Sequence, residues 1–81
     1  TLIGDDVLIG HMAMIHGCIL HDRAFVGLGA IVMDGCVIGS EGMLGAGALL
    51  PQHKTIGARE LWTGRPGRLV RDIDDMMAMG M

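Results

Sequence analysis

Aromatic side chains are almost missing from this chain: Phe25 and Trp62 stand alone among 81 residues, and tyrosine does not occur. A core made from such a sequence has to come from small and aliphatic side chains brought close together. The same scarcity leaves no aromatic platform for stacking bases, and no basic tract runs through the chain. Six Lys and Arg against nine Asp and Glu, a formal charge of -3, argue against a nucleic-acid partner. Long apolar runs are missing too. Half of the residues are hydrophobic, at 51%, and the mean hydropathy is +0.49. Yet no stretch reaches the roughly 18 to 20 apolar residues of a membrane span. The longest uncharged run, residues 7–21, is broken by Gly and His. A soluble protein without a membrane partner is expected. Cysteine is limited to Cys18 and Cys36, with none of the paired CxxC spacing of a structural zinc site. The chain shows neither a charged leader nor a signal-peptide core and opens at Thr1 in mid-repeat, so upstream coils are expected to be absent from it.

What the chain does have is a period of six. Aliphatic residues recur at Ile3, Ile9, Ile15, Leu20, Val26, Val32, Ile38, Leu44, Leu50 and Ile56, and glycine follows at Gly4, Gly10, Gly27, Gly39, Gly45 and Gly57. Four places after most of the aliphatic residues sits a mostly small one, among them Ala13, Ala24, Ala30, Cys36, Gly42 and Ala48. A period of six matches neither a 3.6-residue helix nor the alternation of one half-buried strand; it matches short strands joined by corners that wind a coil. Three hexads make one triangular turn, and stacked turns pair as parallel strands about 4.8 Å apart. The expected fold is an all-β solenoid, a left-handed parallel β-helix over residues 1–57, in which residues eighteen apart form columns such as Cys18 under Cys36. Glycine after each aliphatic residue is expected to supply the unusual backbone angles of the corners. The first coil would expose strand edges and apolar columns, a surface that calls for further coils or a partner.

Cys18 and Cys36 are expected as two buried thiols in a reducing, cytoplasmic setting, since free Cys packs as a small core residue. Residues 58–81 read as a return loop and a C-terminal amphipathic α-helix. Leu61 and Trp62 return to the prism, and Gly64 to Gly67 turn around Pro66. Leu69, Val70, Ile73, Met76 and Met77 recur at spacings of three and four, which predicts a helix from about 66 to 79.

The repeat slips once. From Ile15 to Leu20 the step is five, and the shortened unit holds His16, Gly17 and Cys18 between His11 and His21. Two imidazoles at a break in the repeat read as metal ligands, imidazole being the commonest ligand for zinc and similar ions. Five extended residues span up to about 16 Å, too far for His11 and His16 to hold one ion within a chain. The natural solution pairs His11 of one subunit with His16 of a neighbour around a threefold axis, in a homotrimer. A third ligand on the wall of His16, one coil earlier, would fall before Thr1. His21 reads as a corner residue and His53 as solvated. Asp34, eighteen residues from His16, reads first as a turn-capping or solvated carboxylate and second as a partner of His16. Asp5, Asp6, Asp22 and Arg23 read as corner residues.

The stretch Gly10-His11, then His16-Gly17-Cys18, resembles the GHxxxxHGC element of the gamma-class carbonic anhydrases and their anhydrase-like relatives, homotrimeric left-handed β-helix proteins. The segment from Val26 to Gly35 is similar to that family's next coil, and the run from Trp62 to Arg71 to its exit from the helix, an exit shared with hexapeptide acyltransferases. The resemblance implies two metal ligands, His11 and His16, that reach different ions in one trimer. It implies zinc, or another divalent transition metal such as iron or cobalt, and reversible hydration of carbon dioxide to bicarbonate by a metal-bound hydroxide, a lyase activity, if the upstream coils are present. No residue here corresponds to the family's first metal ligand or to its catalytic carboxylates, so no catalytic residue is assigned. Two alternatives stand beside this: an acyl-CoA-dependent hexapeptide acyltransferase, and a catalytically silent anhydrase-like scaffold.

Overall fold

The computed structural model describes residues 1–73. Its strands are mostly dipeptides: β1 Leu2–Ile3, β2 Leu8–Ile9, β3 Met14–Ile15, β4 Ile19–Leu20, β5 Phe25–Val26, β6 Ile31–Val32, β7 Val37–Ile38, β8 Met43–Leu44, β9 Leu49–Leu50 and β10 Thr55–Ile56. The longer β11 Glu60–Thr63 and β12 Arg68–Asp72 complete the set. Every third strand pairs in parallel, giving three walls: β1-β4-β7-β10, β2-β5-β8-β11 and β3-β6-β9. The second residue of each dipeptide points inward, and the small residue before it closes the corner. Leu20, Val26, Val32, Ile38, Leu44, Leu50 and Ile56 are at most 1% exposed, and Cys18, Ala24, Ala30, Cys36 and Ala48 fill between them. Each fully buried aliphatic side chain contributes about 1.5–3 kcal/mol, so stacked columns stand in for the missing aromatics. Both cysteines are buried free thiols, with Cys36 Sγ donating to the Pro51 carbonyl at 2.9 Å.

The register records the slip. Ile3 pairs with Leu20, Ile9 with Val26 and Ile15 with Val32, all seventeen residues apart. From the next coil on, Leu20 pairs with Ile38, Val26 with Leu44 and Val32 with Leu50, eighteen apart.

The glycines after the aliphatic residues do not carry the left-handed backbone angles, contrary to the sequence expectation. Those angles fall two residues later in the corner, at Asp6, Met12, Arg23, Gly29, Glu41, Gly47, His53 and Arg59 among others, with φ between 56° and 69°. The glycine slot is fixed instead by close stacking: a Cβ on Gly10 would lie 2.6 Å from the Leu28 amide nitrogen of the next coil.

The expected C-terminal helix is corrected over its described part. Residues 68–72 form β12, antiparallel to β11, with Trp62 opposite Leu69 and Thr63 opposite Arg68. Residues 64–67, which include a cis Arg65-Pro66 bond, turn the chain back, and the Gly67 amide bonds to the Leu49 carbonyl at 2.6 Å. The hairpin ladder is interrupted by a bulge that leaves Val70 without a partner on β11, and the buried Ile73 anchors its end, its amide 2.6 Å from the Arg59 carbonyl. The rest of the expected helix, 74–79, lies outside the described residues. The two ends of the prism differ: Ile56 is buried under this hairpin, whereas Ile3 and Ile9 are 53% and 42% exposed.

Candidate metal centre

Each corner normally places two residues between the inward aliphatic side chain and the left-handed residue, as in Ile9-Gly10-His11-Met12 or Val32-Met33-Asp34-Gly35. The slipped corner has one. His16 follows Ile15 directly and precedes Gly17, whose φ is 57°. His16 therefore makes the ladder bond of the first corner residue, its amide 3.2 Å from the Val32 carbonyl, while standing in the column of Asp34. The stack continues through the Gly35 amide, which bonds to the Gly17 carbonyl at 2.8 Å, and the His53 amide, which bonds to the Asp34 carbonyl at 3.0 Å.

His11 and His16 flank one strand, β3, at two successive corners, and His21 falls at the next corner. All three are exposed. The three imidazoles thus point from three edges of the prism and are not gathered within one chain, which agrees with the span argument. His53 is exposed on the same edge as His16, two coils on. Asp5, Asp6, Asp22 and Arg23 are corner residues, with the Asp5 amide donating to the Asp22 carboxylate at 2.8 Å. Among the described residues no three His, Cys, Asp or Glu side chains gather as a ligand set.

The preferred sequence reading of Asp34 needs correction. Its carboxylate meets the His16 imidazole, Oδ1 to Nδ1. The spacing of eighteen was the available signal, and the slipped corner is the reason it holds. An ionised carboxylate only accepts, so a neutral imidazole bonded in this way carries its proton on Nδ1 and keeps a lone pair on Nε2. The His11 ring is exposed. Such a donor set fits a divalent transition ion.

The wall between the two imidazoles is apolar and open. Met14 on β3 is 64% exposed, and Met12 and Leu28, at and above the His11 corner, are 89% and 58% exposed. A shallow cavity of about 190 Å³ lies against His16 and Asp34, floored by Met14, Ile31 and Met33. Burial pushes the Cys18 thiol above its ordinary range, with the Cys36 thiol adding to the effect, and Cys18 packs as a core group. Among the described residues no helix is long and apolar enough to cross a membrane.

No protein-family model matches the chain. It is 47% identical over 75 residues to the mitochondrial gamma carbonic anhydrase 2 of Arabidopsis thaliana, a match covering 93% of this chain and 27% of that protein. It is 53% identical over 75 residues to a protein of Methanocaldococcus jannaschii named "Probable carbonic anhydrase", covering 93% of this chain and 47% of that one. Among solved structures, a hexapeptide transferase family protein from Anaplasma phagocytophilum superposes with a TM-score of 0.88 at 36% identity, over 96% of this chain and 51% of that one. The fold and its columns define a hexapeptide-repeat β-solenoid. Within that class the chain is similar, over 93% of its own length, to proteins named as gamma or probable carbonic anhydrases. It spans less than half the length of these two curated relatives.

Proposed function

We propose that this chain contributes His11 and His16 as two of the metal ligands of a gamma carbonic anhydrase-type site, formed where three copies of the protein meet, and that the site hydrates carbon dioxide reversibly. The observation that carries the reading is the placement of two exposed imidazoles at the two ends of β3, on a wall whose Met14 side chain is open. Imidazoles on two edges of a triangular prism reach one ion only across a subunit contact, and packing three prisms wall to wall brings one edge of each against its neighbour's. Burying Met12, Met14 and Leu28 in that contact removes an apolar patch from water. A third donor is proposed to come from outside the described residues. The carbonic anhydrase names of the two relatives support the choice of reaction.

His11 and His16 would hold zinc, iron or cobalt through neutral imidazoles, and such an ion would supply Lewis acidity that lowers the pKa of water to about 7. His11 and His16 bind and orient; the apolar Met14, Ile31 and Met33 beside them limit water around the reacting gas. The two buried free thiols support a reducing compartment such as the cytoplasm.

Acyl transfer is the second reading, favoured by the transferase name of the solved neighbour. Parallel assays of carbon dioxide hydration and acetyl-coenzyme A turnover decide between them. Hydration that disappears in His16→Ala, without acyl transfer, is expected; acyl transfer without hydration reverses the ranking, and neither activity in a stable trimer leaves the scaffold.

A further inference from the structure

The slipped corner contains one feature that binding by His11 and His16 alone does not require. Asp34 stands one coil above His16, and its carboxylate lies over Gly17 to reach the imidazole: a Cβ on Gly17 would come within 2.5 Å of Asp34 Oδ1 and 3.1 Å of its Cγ. The pair is exposed, with 78% and 50% of the two side chains open to solvent. An exposed polar pair of this kind adds little to stability, so stability alone does not account for a corner shortened by one residue and floored with glycine.

We propose that Asp34 is the positioning residue of His16. By accepting the Nδ1 proton it fixes the imidazole in the tautomer whose Nε2 lone pair is free, and it holds the ring against rotation. The inference rests on the reading of His16 as a metal ligand. The deletion sets the geometry: with a single residue between Ile15 and Gly17, His16 enters the column of Asp34 and Gln52, eighteen residues apart. Gly17 leaves room for the carboxylate to lie across the corner. Metal-binding histidines depend on such partners, and losing one typically weakens metal binding 10- to 100-fold.

Two readouts test this in the purified protein, neither of which is catalysis. The first is the tautomer of the neutral His16 ring in metal-free protein, read from imidazole nitrogen NMR shifts. The proton is expected on Nδ1, and Asp34→Ala should shift the population toward Nε2–H. The second is zinc affinity by chelator competition. Asp34→Ala is expected to lose about 10- to 100-fold, and Asp34→Asn, which keeps an acceptor oxygen, less. Circular dichroism and solution mass should match the parent in both variants. A tautomer indifferent to Asp34, or zinc affinity within twofold of the parent, overturns the inference while leaving His16 as a ligand. A parent protein that binds no zinc overturns the metal reading itself, and the inference with it.

Discussion

Gly17 and Gly35 lie one above the other in the left-handed region, at φ 57° and 76°, with the Gly35 amide bonded to the Gly17 carbonyl at 2.8 Å. The Gly17 corner is the one where the chain drops a residue, and both glycines differ from Gly29 in what rests on them. The Asp34 carboxylate lies over Gly17 and the His53 ring over Gly35. Gly29, at the same place in the neighbouring corner, has nothing within 4 Å of where a Cβ would be.

This difference predicts unequal costs for the same substitution. Gly29→Ala should cost only the left-handed backbone penalty of about 1 kcal/mol, which Asp6, Met12 and Arg23 already bear at equivalent places. Gly17→Ala should cost about 1–2 kcal/mol more, because the new methyl group displaces the Asp34 carboxylate. Urea denaturation of both variants measures the difference. Equal costs would show that the carboxylate does not rest on that glycine.

The asymmetry of the two prism ends predicts a gradient in core sensitivity. Ile38→Ala empties a fully buried site and should cost about 2–5 kcal/mol. In this chain Ile3→Ala, at a site 53% exposed, should cost less than half as much. Thermal or denaturant unfolding of the pair checks the order.

The Arg23–Glu41–Arg59 column runs up one edge of the prism, with nitrogen-to-oxygen distances of 3.7 and 3.2 Å to the central carboxylate. Glu41→Gln leaves two guanidinium groups facing each other across it. The expected loss is below about 1 kcal/mol and shrinks as salt is raised to 1 M, because these groups are partly solvated. Unfolding midpoints at low and high salt provide the measurement.

Burial of Cys18 predicts both reactivity and a pH trend. Cys18 and Cys36, 2% and 1% exposed, should resist a thiol reagent at neutral pH and react fully in denaturant. The folded thiol titrates above the unfolded one, so the folded state binds more protons between the two values. Stability is therefore unaffected below the unfolded pKa of about 8.5 and falls as pH rises through the window above it. In Cys18→Ala that alkaline slope should flatten.

Much of this architecture was readable in the residues, and the failures have local causes. The aliphatic series from Ile3 to Ile56 fixed the walls because each inward side chain needs a partner of its own size one coil away. The slip between Ile15 and Leu20 marked the corner of His16. The glycine slot misled because its constraint is steric and comes from the neighbouring coil: Gly10 faces the Leu28 backbone, a contact invisible along the chain. Leu69, Val70 and Ile73 imitate a helical stripe. Leu69 and Val70 lie instead on a hairpin strand exposed along its length, and Ile73 is buried just beyond its end. Asp34 was placed correctly by the count of eighteen, but whether its carboxylate reached His16 depended on the missing residue and on the space over Gly17.

The central claim is that His11 and His16 bind metal between copies of the protein. Native mass spectrometry of the purified protein tests it in one measurement, because it reports mass and bound metal together. The account predicts a trimer with one divalent ion per chain, and loss of those ions in His11→Ala and in His16→Ala alike. A monomer, or a trimer whose metal content is unchanged by both substitutions, would contradict it.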